Sequence, residues 1–140
     1  MILLDTNVVS EPLRPRPDRR AQDWLDAQAA ETLYLSTISL SELLLGIENL
    51  PAGRRRAALA AAVGQQIVAL FSDRILSFDI EAAQAYAKVV TQSRRKGHPI
   101  SVADGQIAAI AMAHGFTVAT REEMAFVAAG LPVINPWQRS

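Results

Sequence analysis

The chain opens on three apolar residues in a row, Ile2-Leu3-Leu4, and then meets a carboxylate, Asp5. A strand without alternation must be covered on both faces, and such strands belong to parallel sheets flanked by helices. Similar runs return at Leu33-Tyr34-Leu35-Ser36-Thr37, Ile75-Leu76-Ser77-Phe78 and Phe116-Thr117-Val118-Ala119, with Val133-Ile134 as a short fifth. Helical patterns separate them. Asp18 to Ala30 carries Ala21, Trp24, Leu25 and Gln28 at helical spacing, and Ser39 to Leu50 repeats Leu40, Leu43, Leu44 and Ile47 before Pro51. Arg54 to Leu70 is rich in alanine, the best helix former. Ile80 to Lys96 sets Ala83, Ala87 and Val90 on one face and stops at Gly97-His98-Pro99. Ser101 to His114 carries Ala103, Ile107, Ile110 and Ala111, with Gly115 suited to the position just past its end. A last short helix is expected over Glu122 to Ala129. Strands alternating with helices predict an α/β fold with a short parallel sheet of four or five strands. At 140 residues, with no repeat or linker, the expectation is one domain over 1–140.

Composition narrows the chemistry. There is no cysteine, which excludes disulfides, thiolate-held zinc, iron–sulfur clusters and thiol nucleophiles. With only His98 and His114 present, a multi-histidine zinc site is disfavoured, and a bound metal would be a hard cation held mainly by oxygen. Fourteen basic residues balance fourteen acidic ones, which argues against coating nucleic acid by bulk charge but allows segregated charge. The N-terminus lacks the basic start of a signal peptide, and Ala57 to Phe71 is too short for a membrane span. A soluble cytoplasmic protein without membrane contact is expected.

Parallel α/β sheets bind ligands outside the carboxyl ends of their strands. Asp5, followed by Thr6 and Asn7 in an expected turn, directly ends the first strand. Thr120-Arg121-Glu122-Glu123 directly ends the fourth. Glu42 falls in the first turn of the helix after the second strand, and Asp104 in the first turn of another. Some of these acids have purely structural readings. Ser39-Leu40-Ser41-Glu42 fits a capping box, Ser101 can cap the helix of Asp104, and Asp79 reads as a plain N-cap. Several carboxylates on one rim nevertheless repel one another, and a fold gathers them only around a cation. With no Cys and few His, Mg²⁺ or Mn²⁺ is the natural ion.

Four segments carry a family likeness: Met1-Ile2-Leu3-Leu4-Asp5-Thr6-Asn7, Ser39-Leu40-Ser41-Glu42-Leu43, Ala103-Asp104-Gly105-Gln106-Ile107-Ala108-Ala109 and Val118-Ala119-Thr120-Arg121. In this order and spacing they resemble the PIN-domain ribonucleases. The chain is more closely similar to the VapC-type toxins of bacterial toxin–antitoxin pairs, in the FitB-like subgroup. Ser10-Glu11-Pro12-Leu13-Arg14-Pro15 and Asn135-Pro136-Trp137 add to the subgroup likeness. The resemblance implies a three-layer α/β/α sandwich in which Asp5, Glu42 and Asp104 hold the metal. It puts Glu122 at a fourth acidic position that is usually aspartate, and its extra methylene moves the carboxylate by about 1.5 Å. Thr6, Asn7 and Thr120 match groups that orient the acids.

The function so implied is metal-assisted hydrolysis of RNA phosphodiesters by the toxin of a type II pair, leaving a 5′-phosphate and a 3′-hydroxyl. The implied partners are RNA, a second copy of the chain in a homodimer or larger assembly, and an antitoxin that alone brings operator DNA. Ten of the fourteen basic residues fall in three groups, Arg14/Arg16/Arg19/Arg20, Arg54 to Arg56 and Arg94 to Lys96. Arg14, Arg54 and Arg94 represent these as candidates for gripping RNA phosphates. Two other readings compete. A phosphoacceptor receiver domain would want a second early acid and a late lysine, where this chain has Asp5 alone and Thr120-Arg121. An inactive PIN-like binding module would use the same groove in a regulatory complex without metal.

Overall fold

A computed structural model describes residues 1–138. Its sheet has five strands, β1 (Ile2–Leu4), β2 (Leu33–Ser36), β3 (Ile75–Leu76), β4 (Thr117–Ala119) and β5 (Val133–Ile134). All pair in parallel, in the spatial order β3-β2-β1-β4-β5. From β1 the chain builds outward through β2 and β3, then crosses back to lay β4 on the other side of β1. The switch of direction falls between β1 and β4, where a parallel sheet opens a crevice at its carboxyl edge.

The uninterrupted apolar runs are explained by the two faces they serve. Leu3 and Val118 point into a core built with Ala82, Val89, Ile107, Ile110 and Phe126. Their neighbours Leu4 and Ala119 point the opposite way, into a second core with Val8, Trp24, Leu35, Leu43 and Phe71. The helices α6 (Ile80–Arg95), α7 (Val102–His114) and α8 (Glu123–Ala128) cover the first face. Against the second pack α1 (Thr6–Ser10), α2 (Arg19–Ala27), α3 (Thr37–Glu48) and the helical stretch 54–71. This is the expected three-layer sandwich.

Several details depart from expectation. Thr6 and Asn7 begin a helix rather than a turn: Asp5 is the N-cap of α1, and its carboxylate accepts the Thr6 N–H. α3 begins two residues early, capped by Ser36, whose hydroxyl accepts the Ser39 N–H at 3.0 Å. Ser39 is therefore not a cap and Glu42 not part of a capping box. α6 turns Ala82, Ala85 and Val89 inward and leaves Ala83 and Ala87 exposed, because an alanine-rich helix offers similar faces and contact with α7 decides between them.

The alanine-rich stretch is divided into α4 (Arg54–Ala61), a π-helical segment (Ala62–Ile67) and α5 (Val68–Phe71). Its core-facing residues Leu59, Val63, Ile67 and Phe71 recur every fourth position. In an α-helix that spacing drifts by about 40° per step. The wider π turn offsets the drift and keeps all four on the core. Ser101 caps α7 and Asp79 caps α6, as expected, and Gly115 ends α7 in the left-handed conformation (φ 70°). Among the described residues no helix is long and apolar enough to cross a membrane.

Candidate active site

Asp5 is placed by the sheet itself. Its N–H donates to Ala119 O at 2.9 Å, fixing it at the carboxyl edge beside β4, and only 3% of the residue is exposed. One carboxylate oxygen accepts the Thr6 N–H at 2.8 Å, and the other accepts the Thr120 hydroxyl at 2.7 Å. Asn7 Nδ2 stands 3.4 Å from that second oxygen. Burial pushes the Asp5 carboxyl from 3.8 up to about 6, against the pull of the Thr120 and Thr6 hydrogen bonds, and the charges of Asp104 and Glu122 push the same way.

Asp104, in the first turn of α7, is half-buried, and its N–H donates to Ser101 Oγ at 3.2 Å. Its carboxyl too is raised, first by burial and then by the Glu122 carboxylate, which is near enough to share a proton with it. Glu122 precedes α8, and its N–H donates to Thr120 Oγ1 at 2.9 Å. The Thr120 hydroxyl therefore links Asp5 to the Glu122 backbone. Asp5, Asp104 and Glu122 form one electrostatic group, and among the described residues no cation is among the charges that act on its two raised carboxyls.

Glu42 joins this group indirectly. Its carboxylate lies 2.6 Å from Thr6 Oγ1, which is also 2.9 Å from Ser39 Oγ. With one proton, the Thr6 hydroxyl donates to the carboxylate and accepts from Ser39. The Thr6 backbone meanwhile binds Asp5, so a single residue spans the two acids. Among the described residues no three Asp, Glu or His side chains stand close enough together, as they are placed, to hold a metal ion. The acids line a rim. The donor set still suits a hard divalent cation: all its atoms are carboxylate oxygens, and its most buried member carries a raised pKa and, among the described residues, no ion pair.

A family model for the PIN domain matches residues 2–130. The chain belongs to the PIN-domain family. It is 52% identical over 138 residues to plasmid stability protein StbB of Pseudomonas syringae pv. tomato, covering 99% of each chain. It is 47% identical over 138 residues to VapC ribonuclease Y4jK of Sinorhizobium fredii, again covering 99% of each. Toxin FitB of Neisseria gonorrhoeae is 47% identical over 137 residues, 98% of this chain and 99% of FitB. The crystal structure of FitAcB from that organism superposes with a TM-score of 0.95 and 47% identity, over 99% of this chain and 100% of that one. Within its family this PIN domain therefore stands with the VapC and FitB proteins.

Around the acids of this PIN domain, the sequence candidates divide. Thr6, Asn7 and Thr120 all bond to Asp5. Arg14 reaches the rim, lining with Thr6, Glu42 and Arg55 a groove of about 310 Å³. Arg54 is exposed at the start of α4 and Arg94 in the last turn of α6; among the described residues neither forms an ion pair or hydrogen bond with the acids. Sequence reasoning missed the Ser39 hydroxyl, fully buried beside Thr6. The available signal was its three-residue spacing from Glu42, which puts both on one helix face.

Proposed function

We propose that this chain is a divalent-metal-dependent ribonuclease and the toxin of a type II toxin–antitoxin pair. The observation that carries the reading is the buried Asp5 at the strand crossover, electrostatically coupled to Asp104 and Glu122 with no cation beside it among the described residues. Asp5, Asp104 and Glu42 would hold Mg²⁺ or Mn²⁺, and Glu122 is a further acid at the same rim. When bound, the cation supplies positive charge for the phosphodiester oxygens and makes the attacking water more acidic.

The chain's own residues have defined tasks in that reaction. Thr120 and the Thr6 N–H hold the Asp5 carboxylate in one orientation, so that both oxygens are not free to turn toward solvent. Thr6 and Ser39 fix Glu42, which is otherwise an exposed side chain on α3. Glu122 is suited to accept a proton at the rim, since its carboxylate faces Asp104 and remains open to water. Water rather than a side chain is the nucleophile, in keeping with the absence of cysteine.

The ribonuclease part of the reading draws support from VapC ribonuclease Y4jK, and the toxin part from toxin FitB. A cognate antitoxin and a second copy of the chain are the proposed protein partners, with operator DNA reached only through the antitoxin and the cytoplasm as the site of action. An inactive binding module would have no use for two carboxylates, Asp104 and Glu122, held against a buried aspartate that they repel. The test is cleavage of single-stranded RNA by purified wild type, Asp5→Asn and Asp104→Asn with Mg²⁺, Mn²⁺ or EDTA. Cleavage by wild type alone, abolished by EDTA, is expected; metal-independent cleavage or full activity in both variants would overturn the reading.

A further inference from the structure

Arg121 lies in the middle of the acidic rim, between Thr120, which holds Asp5, and Glu122. Its backbone is pinned there: the Arg121 N–H donates to Asn7 Oδ1 at 3.3 Å, and the next N–H goes to Thr120 Oγ1. A guanidinium so placed would be expected to fold onto the nearest carboxylate. It does not. Among the described residues Arg121 forms no ion pair, and its guanidinium carbon sits 5.0 Å from the centroid of the Trp137 ring.

Trp137 is a built platform for that cation. It is 7% exposed, and its backbone N–H donates to Asn135 Oδ1 at 2.9 Å, while Asn135 Nδ2 donates to Glu123 Oε2 at 3.0 Å. Arg20 Nη1 donates to the Trp137 carbonyl at 3.1 Å, tying the platform to α2. Asn135-Pro136-Trp137, otherwise without a task, thus fastens the loop that carries Glu122 and offers an aromatic face to Arg121. Stacking uses the π-face of the guanidinium and leaves its in-plane N–H donors available. The residue itself is exposed.

We propose that Arg121 is a phosphate-binding residue for the RNA strand entering this site, and that Trp137 is the positioning residue that keeps it off the acids. The inference rests on the ribonuclease reading and deepens it. An arginine free to pair with Asp104 or Glu122 would compete with the metal for the carboxylates. Held on the indole, it leaves them free and presents planar donors that match two phosphate oxygens. The rim then carries an acidic patch for a cation beside a fixed cation for the RNA backbone.

The test measures binding separately from cleavage. Arg121→Gln, Trp137→Phe, Trp137→Leu and the double variant Arg121→Gln/Trp137→Leu are titrated with a short fluorescein-labelled single-stranded RNA over a range of salt. Mn²⁺ affinity is measured by calorimetry on the same proteins. Arg121→Gln is expected to weaken RNA binding on the order of tenfold and to reduce the salt slope by about one. It should raise KM, hold kcat within about threefold, and leave Mn²⁺ affinity unchanged. Trp137→Phe, which keeps an aromatic face, should behave like wild type. Trp137→Leu should reproduce the loss but add nothing to Arg121→Gln. Wild-type RNA affinity and salt slope in Arg121→Gln would overturn the proposal, as would tighter Mn²⁺ binding with KM unchanged, which would make Arg121 a counter-charge for the acids. Wild type that binds RNA with this Arg121 dependence but never cleaves it would instead refute the nuclease reading.

Discussion

Replacing Asp5 by asparagine should stabilise the metal-free protein near neutral pH while abolishing its chemistry. Burial pushes the Asp5 carboxyl from its ordinary 3.8 up to about 6 in the folded chain. Between those values the folded state binds more protons than the unfolded state, so stability falls as pH rises through the window. A shift of about two units corresponds to about 3 kcal/mol lost once the carboxylate is ionised. Asparagine is nearly isosteric and removes the charge. Its oxygen still accepts the Thr6 N–H that caps α1. The cost falls on Thr120, whose hydroxyl donates to Asp5 and already accepts the Glu122 N–H, so it must turn to face an amide. One disturbed hydrogen bond costs about 1 kcal/mol, leaving a net gain of roughly 1–2 kcal/mol at pH 7.5. In thermal unfolding with EDTA that gain raises Tm by roughly 3–8 °C. At pH 4.5, where the folded wild type is protonated, the advantage should vanish or reverse. Excess Mg²⁺ should raise the Tm of wild type and leave the variant unmoved. Equal destabilisation of Asp5→Asn at both pH values would refute the reasoning, because burial of an uncompensated charge would then not be the dominant feature of this site.

Other perturbations have equally definite outcomes. Asp104→Asn should lower Mg²⁺-dependent cleavage of single-stranded RNA by at least about 100-fold with an unchanged circular dichroism spectrum, since it removes a proposed metal ligand rather than a packing group. Thr6→Val should cost about 1–2 kcal/mol in urea unfolding and reduce cleavage, because Glu42 loses its positioning donor and the buried Ser39 hydroxyl its acceptor. Gly105→Ala should destabilise by about 1–3 kcal/mol, read as a lower urea midpoint, because a Cβ there meets Tyr86 Cε1 at 3.0 Å between α6 and α7. Trp24→Ala, at the centre of the second core, should cost about 3–5 kcal/mol.

What could be read from the chain alone was whatever depends on local pattern. Ile2-Leu3-Leu4 requires cover on both faces wherever it lies, so the parallel sheet and its flanking helices followed from the apolar runs. Once the strands were placed, the rule that ligands bind at their carboxyl ends pointed to Asp5 and Thr120. The short α1 carried no such pattern, since five residues are too few to show a helical period. The inward face of α6 was equally hidden, because Ala82 and Ala83 differ in burial but not in chemistry.

The tertiary structure decided matters that depend on partners distant in the chain. Ser36 rather than Ser39 caps α3, which freed Ser39 and Glu42 to meet Thr6, thirty-three and thirty-six residues away in sequence. Thr120 meets Asp5 across 115 positions, and Arg121 stacks on Trp137 instead of pairing with the acids around it. Hydrophobic periodicity states that a residue will be buried, but not against what. The orientation of a polar side chain is set by the donors and acceptors that folding brings to it. The sequence alone therefore determined that this protein gathers acids at a sheet edge; only the assembled crossover of β1 and β4 decided which of them act on one another and which side chains hold them there.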